Sequence, residues 1–315
     1  MTNLAQWLSQ HAVDQKLASV VASMAAASVE IDQVLRRAPI TGQIGVVGRT
    51  NIQGEAQKAL DVISNDVVLK HLQDNPEVSI LVSEELDEAV HFGTNGPYLV
   101  ATDPLDGSSN LDVNVTVGTI FSVLDAAGGL LQKGSAQLAA GYAAYGPATN
   151  LVLTFGQDVT VFTLDLDGDW VLSKEGLRIA PASEEYAINT ARERFWDAAT
   201  KGYVAENVAG ESGPAGKRYN MRWVGSMVAD IHRILMRGGI FMYPLDSETM
   251  SKGGRLRLLY EANPMALLVT AAGGGATTGR QKILDLQPND IHQRVPVILG
   301  SAEEVARVEA WYERG

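Results

Sequence analysis

Asp103-Pro104-Leu105-Asp106-Gly107-Ser108-Ser109-Asn110 follows the apolar run Tyr98-Leu99-Val100-Ala101-Thr102, which Gly96-Pro97 bounds on its upstream side. A short apolar run between turn formers reads as a buried strand. Asp103 then stands at the carboxyl end of that strand, where open α/β sheets place their ligands. Pro104 fixes φ and removes one N–H, while Gly107 permits a left-handed or closely approached backbone. Two carboxylates beside a turn with free N–H groups suit a hard divalent cation shared with a phosphate. Taken alone, the D-x-x-D spacing reads equally well as an Asx turn.

The neighbouring acids extend the pattern. Val78-Ser79-Ile80-Leu81-Val82 is a second buried-strand run and ends in Ser83-Glu84-Glu85. Adjacent carboxylates at a strand end repel unless a cation or water separates them. Glu55 and Asp61 lie on either side of the start of an apparent helix around Leu60. Downstream, Leu256-Arg257-Leu258-Leu259-Tyr260 reads as a strand leading into Glu261, with Asn263-Pro264 as a helix cap and first-turn pair. Four segments thus present acids at element boundaries, although any single one of them could be a solvated charge.

The spacing predicts a helix over 4–36, with Leu17, Val20, Val21, Met24, Ala27, Ile31 and Leu35 as a core or subunit-interface stripe. Strands are predicted near 79–83, 98–102, 113–124, 151–155 and 159–164, followed by a hairpin at Asp167-Gly168. The pattern breaks at Ala180-Pro181-Ala182-Ser183, which divides the chain into 1–181 and 182–315. In the second half Ser226 is expected to cap a helix that Gly238-Gly239 ends, before strands over 240–243 and 256–260. Alternating helices and strands in both halves predict a layered α/β fold with two intimately packed subdomains. A chain of 315 residues exceeds the usual single-core size and agrees with that division.

The chain carries 25 Lys and Arg against 37 Asp and Glu, a net charge of −12, and no cysteine. Disulfides and thiol switching are excluded, and neither a nucleic acid nor a membrane is expected as partner. No stretch of about 18 apolar residues or basic signal-peptide start is evident, so a cytoplasmic protein is expected. Asp165-Leu166-Asp167-Gly168-Asp169 lacks the later glutamate of a calcium loop and reads better as a turn. The glycines at 273–279 lack a P-loop ending. His232 and His292 read as structural, and Ser108 and Ser109 as phosphate donors rather than nucleophiles.

The chain resembles the class I fructose-1,6-bisphosphatases over nearly its whole length. Beside Asp103–Asn110, the resemblance rests on Leu60-Asp61-Val62-Ile63-Ser64-Asn65-Asp66, Ser83-Glu84-Glu85 and Gly118-Thr119-Ile120-Phe121. It also rests on the segments running from Val224 to Arg233, from Leu258 to Ala266 and from Asp290 to Arg294. The resemblance implies that Glu84, Glu85, Asp103, Asp106, Glu261 and the Leu105 carbonyl surround two or three Mg²⁺ ions. It implies hydrolysis of a sugar 1-phosphate by metal-activated water, with Asp61 and Glu85 taking its proton, and Asp103 and Asp106 completing the catalytic group. Asp106, Gly107, Ser108 and Ser109 would meet the ester phosphate. Asn189, Tyr243, Arg255 and an Arg222 lent to a neighbouring subunit would hold the far phosphate, in a homotetramer.

Three far-phosphate positions depart from the family pattern. Trp223 replaces a tyrosine, Arg255 stands where a lysine is expected, and Arg192 takes another tyrosine position. The added arginines make sedoheptulose 1,7-bisphosphate an alternative substrate. An inositol or nucleotide phosphatase would share the Asp103–Gly107 core without the later segments, and a non-catalytic phosphate-binding assembly protein would not need all the acids. The family's AMP site has a Gly-Glu-Met-Thr-like turn, a Lys-Tyr pair and an arginine; the resemblance places Ala12-Val13-Asp14-Gln15-Lys16, Pro97-Tyr98 and, at or near the third, Asp125 there, so two cations are missing and one of them is replaced by an acid. AMP inhibition at that site is therefore not expected.

Overall fold

A computed structural model describes residues 1–42, 46–50 and 56–314. Glu55 lies outside the described residues. The predicted helix over 4–36 is two helices, α1 (Leu4–Gln10) and α2 (Gln15–Thr41). Ala12 adopts a positive φ of 49° between them, and the Asp14 carboxylate caps α2 by accepting from Lys16 and Leu17 N–H at 3.0 Å. A left-handed residue followed by a side-chain cap ends one helix and starts another. Val20, Val21, Met24, Ala27 and Ile31 are fully buried, so most of the expected stripe is core. By length and composition α2 could cross a membrane, contrary to the sequence expectation, but half of its most apolar window is packed inside the fold.

After the hairpin β1 (Val46–Thr50) and β2 (Ala56–Lys58) comes α3 (Ala59–Gln73), which carries Asp61. The main sheet contains β3 (Val78–Ser83), β4 (Val90–His91), β5 (Tyr98–Asp106), β6 (Val117–Asp125), β7 (Ala139–Tyr145), β8 (Thr149–Thr154), β9 (Val159–Leu164) and β10 (Trp170–Lys174). Its order is β10-β9-β8-β7-β6-β5-β3-β4, antiparallel except where β3 pairs with β5. The strand expected over 113–124 begins only at Val117, because Ser108–Val113 forms a 3-10 helix.

The second half opens with β11 (Glu185–Ile188), α4 (Ala198–Ala209), β12 (Asn220–Met221), α5 (Met227–Arg237) and β13 (Ile240–Tyr243). Ser226 caps α5 and Gly238 ends it, as the sequence predicts. Next are β14 (Leu256–Arg257), α6 (Asn263–Ala271), β15 (Gly275–Thr277), β16 (Arg294–Val295), β17 (Val297–Gly300) and α7 (Ala302–Arg314). The second sheet runs β12-β11-β13-β17-β15, and β14 pairs separately with β16.

Strand alternation then builds the layers. On β6, Phe121 and Val123 join α2 and α3 in one core, while Ile120 points the other way. There it meets Val228 and Ile231 of α5, Met265 and Val269 of α6, and Phe241 and Leu299 of the second sheet. The far face of that sheet packs Ile188, Ile240 and Ile298 against Tyr203 of α4 and Val308 of α7. The result is a five-layer α/β stack with a middle helix layer shared by both sheets. The site lies where that shared layer meets the ends of β3 and β5.

Candidate active site

Asp103 and Asp106 belong to one strand. β5 continues through Pro104 to Asp106, and its pairing with β6 slips between Asp103 and Asp106. Proline has no N–H for a ladder, so an irregularity there carries no loss. The Leu105 N–H instead donates to Asp103 Oδ1 at 3.0 Å. The Thr119 hydroxyl donates to the Pro104 carbonyl at 2.8 Å and shares a 2.7 Å hydrogen bond with Tyr145, which stiffens the strand from behind. Gly107 follows with φ 78°, and a Cβ there would lie 2.5 Å from Ser226 Cβ. Only glycine fits that contact and conformation together.

Asp106 is held by the second half of the chain. Its Oδ2 accepts from Ser226 Oγ and Val228 N, both at 2.8 Å, and Oδ1 from Met227 N at 3.3 Å. Glu84 leaves the end of β3, with its N–H on the Thr102 carbonyl. Ser83 Oγ donates to Asn65 on α3 at 2.7 Å, fixing the Asp61 helix to the strand that carries Glu84 and Glu85.

Glu261 arrives differently from the sequence expectation. Only Leu256–Arg257 is strand, and Leu258–Ala262 is a π-helical turn continuous with α6. Asn263 is buried inside that helix run and makes no side-chain cap, although Pro264 does occupy its first turn. The π turn points Glu261 back, and its Oε2 accepts from Arg257 N at 2.6 Å.

These elements enclose a cavity of about 220 Å³ lined by Asp61, Glu84, Glu85, Asp103, Leu105, Asp106, Gly107, Ser108, Ser109, Tyr243, Arg255 and Glu261, all expected site residues. One carboxylate oxygen each from Asp103, Asp106 and Glu261 lies within 4.8 Å of the others, and all three residues are buried. Burial, then neighbouring carboxylates beginning with Glu84, raises the Asp103 carboxyl well above its ordinary range. Burial pushes Asp106 up to about 6 against its hydrogen bonds from Val228 and Ser226, and pushes Glu261 to about 8 with Glu84 as the next cause. Converging buried carboxylates that resist ionisation, with oxygen donors only, fit a hard divalent cation.

Sequence reading missed Arg257. It is buried at the cavity wall, with Nη1 2.9 Å from Glu84 Oε1 and 3.8 Å from Glu261 Oε2. An arginine inside an apolar run, four residues before a glutamate, was the available signal. Gly225 and Met227 also line the cavity.

Asn189 and Arg222 do not line it. Asn189 caps a 3-10 helix through Ala191 N–H at 3.1 Å. Arg222 is half exposed, with Nε 3.8 Å from Glu185. Arg192 carries no free charge to the cavity, contrary to expectation. It pairs with Asp246 at 2.6 Å and Glu248 at 2.7 Å. Arg255 instead sits 5.5 Å from the centre of the Tyr243 ring.

A layered α/β fold thus closes buried carboxylates and the Gly107–Ser109 turn around one cavity, a set of oxygen donors that fits a divalent cation. The Fructose-1-6-bisphosphatase, N-terminal domain family matches residues 4–175, and the Fructose-1-6-bisphosphatase, C-terminal domain family matches 179–313. The chain is 51% identical to the class 1 fructose-1,6-bisphosphatase of Methylobacillus flagellatus over 98% of its length and 96% of that protein. It is 51% identical to that of Shewanella amazonensis, covering 97% and 98%. The crystal structure of Leishmania major fructose-1,6-bisphosphatase in holo form superposes with a TM-score of 0.94 at 36% identity, over 99% of each chain. The chain belongs to the class 1 fructose-1,6-bisphosphatase family, phosphatases of carbohydrate metabolism.

Proposed function

We propose that this chain hydrolyses fructose 1,6-bisphosphate to fructose 6-phosphate and phosphate in a Mg²⁺-dependent reaction. The observation that carries the reading is the convergence of buried Asp103, Asp106 and Glu261 on one point. Glu84, Glu85, Asp103, Asp106, Glu261 and the Leu105 carbonyl would hold Mg²⁺. When bound, the cations neutralise phosphate charge and lower the pKa of water.

The protein's own groups account for the remainder. Asp61 and Glu85 take the proton of the attacking water, and the turn at Gly107–Ser109 presents donors to the 1-phosphate. Asp106 is held by the donors at the start of α5, so the two halves must be packed for it to be aimed. Tyr243 and Arg255, which line the cavity, bind the 6-phosphate, with Arg222 lent to a neighbouring site in a homotetramer. Arg192 is paired with Asp246 and Glu248, so of the added arginines only Arg255, which lines the cavity, is left to favour a seven-carbon bisphosphate, and that sugar remains the alternative substrate. We assign the metal and 1-phosphate side to 1–181 and the far-phosphate side to 182–315, with Glu261 crossing between them.

AMP is not expected to inhibit through the family's usual site. Asp14 already occupies the N–H groups at the start of α2, Tyr98 donates to the same carboxylate at 3.1 Å, and Lys16 is paired with Glu77 at 3.1 Å. An incoming phosphate would meet a fixed carboxylate. Phosphate release from a panel of sugar phosphates, with and without Mg²⁺, tests the main reading. Activity confined to an inositol or nucleotide monophosphate, or absent throughout, refutes it. Inhibition by micromolar AMP refutes the regulatory reading.

A further inference from the structure

Asp230 is a buried carboxylate on α5 that lines no part of the catalytic cavity. Its oxygens accept from Val224 N–H at 3.1 and 3.3 Å and from Gly225 N–H at 3.0 Å. These donors belong to the turn that enters α5, where Gly225 adopts a φ of 86°. Arg233, on the same helix, is engaged by Glu185 at 2.6 to 2.9 Å. Asp230 is therefore tied chiefly to the backbone of its own entry turn.

That turn is joined to both ends of the cavity. On its upstream side Trp223 stacks on Phe241, with ring centres 5.8 Å apart, and meets Tyr243 edge-on at 5.1 Å. Tyr243 in turn lies under the Arg255 guanidinium. On its downstream side Ser226 and Val228 donate to Asp106. One carboxylate thus holds the joint between the aromatic wall of the far end and the donors that aim Asp106.

We infer that Asp230 is a positioning residue that sets the distance between the ester end and the far-phosphate end, and so selects for a substrate with two phosphates. The inference rests on the bisphosphatase reading. Acidity at position 230 is not needed for the fold's layers, since its neighbours Val228, Ile231 and Ile234 supply the apolar face of α5. A buried carboxylate is expensive to desolvate, and it is retained here with every hydrogen bond spent on one turn.

The test compares fructose 1,6-bisphosphate with fructose 1-phosphate at saturating Mg²⁺ in the wild type, Asp230→Leu and Asp230→Asn. In Asp230→Leu, kcat/KM for the bisphosphate should fall about tenfold further than for the monophosphate, chiefly through KM. Asp230→Asn keeps one acceptor oxygen and should recover part of that difference. Equal losses on the two substrates, or no loss, overturn the inference, because a merely structural residue would depress both alike. If Asp230→Leu fails to fold, the substrate ratio of Asp230→Asn decides in the same way. A wild type inert toward the bisphosphate would bring down the phosphatase reading itself, and this inference with it.

Discussion

Stripped of divalent cations by a chelator, the protein should lose stability as pH rises from about 5 to about 8. Burial raises the Asp106 carboxyl from 3.8 to about 6 and Glu261 from 4.5 to about 8, and raises Asp103 well above its ordinary range. In the unfolded chain these groups titrate near their ordinary values, so across this window the folded state holds more protons than the unfolded state. Their favourable contribution is complete below the unfolded values and is lost as pH rises through the folded ones. One proton retained over three pH units corresponds to about 4 kcal/mol, taken for the cluster as a whole because its carboxyls titrate together. At about 2 °C per kcal/mol for a chain of this size, Tm should fall by about 8 °C. Thermal melts in chelator at several pH values, repeated with saturating Mg²⁺, measure this. Mg²⁺ favours the ionised ligands, so its stabilisation should grow with pH and flatten the profile. Glu261→Gln should flatten the chelated profile as well. A chelated Tm that stays level or rises, with Glu261→Gln behaving like the wild type, refutes the claim that these charges need a cation.

Asp103→Asn should lower phosphate release at least about a thousandfold, with unchanged circular dichroism and a chelated Tm no lower than wild type, since it replaces a carboxyl whose burial opposes ionisation; near-normal turnover would end the metal assignment. Gly107→Ala forces an L side chain into φ 78° and against Ser226, so kcat/KM should drop about a hundredfold through misplacement of Asp106, and an unaltered value would show that the contact relaxes. Arg257→Met leaves the partly buried Glu84 without its 2.9 Å partner; the chelated protein should lose about 3 kcal/mol, and Mg²⁺ should restore most of it. Equal destabilisation with and without Mg²⁺ would show that Arg257 does not stand in for a cation.

The strand ends that carry Glu84, Glu85 and Asp103 were legible because apolar runs bounded by Gly, Pro and acids have few other readings. The run Leu256–Tyr260 was not, since periodicity cannot separate a buried strand from a buried helix segment. Only Leu256–Arg257 finds a strand partner, in Arg294–Val295, and the rest winds into α6. The break between α1 and α2 turns on a left-handed Ala12, a conformation no propensity favours at alanine. Arg192 illustrates a different limit. Its role depends on Asp246, distant in sequence and adjacent only once β13 is in place, so the charge that local motif matching assigned to substrate is spent within the fold.

The site needs both halves of the chain. β5 supplies Asp106, but α5 supplies the donors that aim it. Likewise β3 leads into Glu84, while Arg257 and Glu261 come from the segment that winds into α6. The carboxylates repel one another, so the apolar packing of α5 and α6 between the two sheets must hold them together before any cation is bound. Hydrophobic burial of the shared helix layer stores electrostatic tension among these carboxylates that a bound metal ion would relieve, so metal affinity should depend on the core as much as on the ligands.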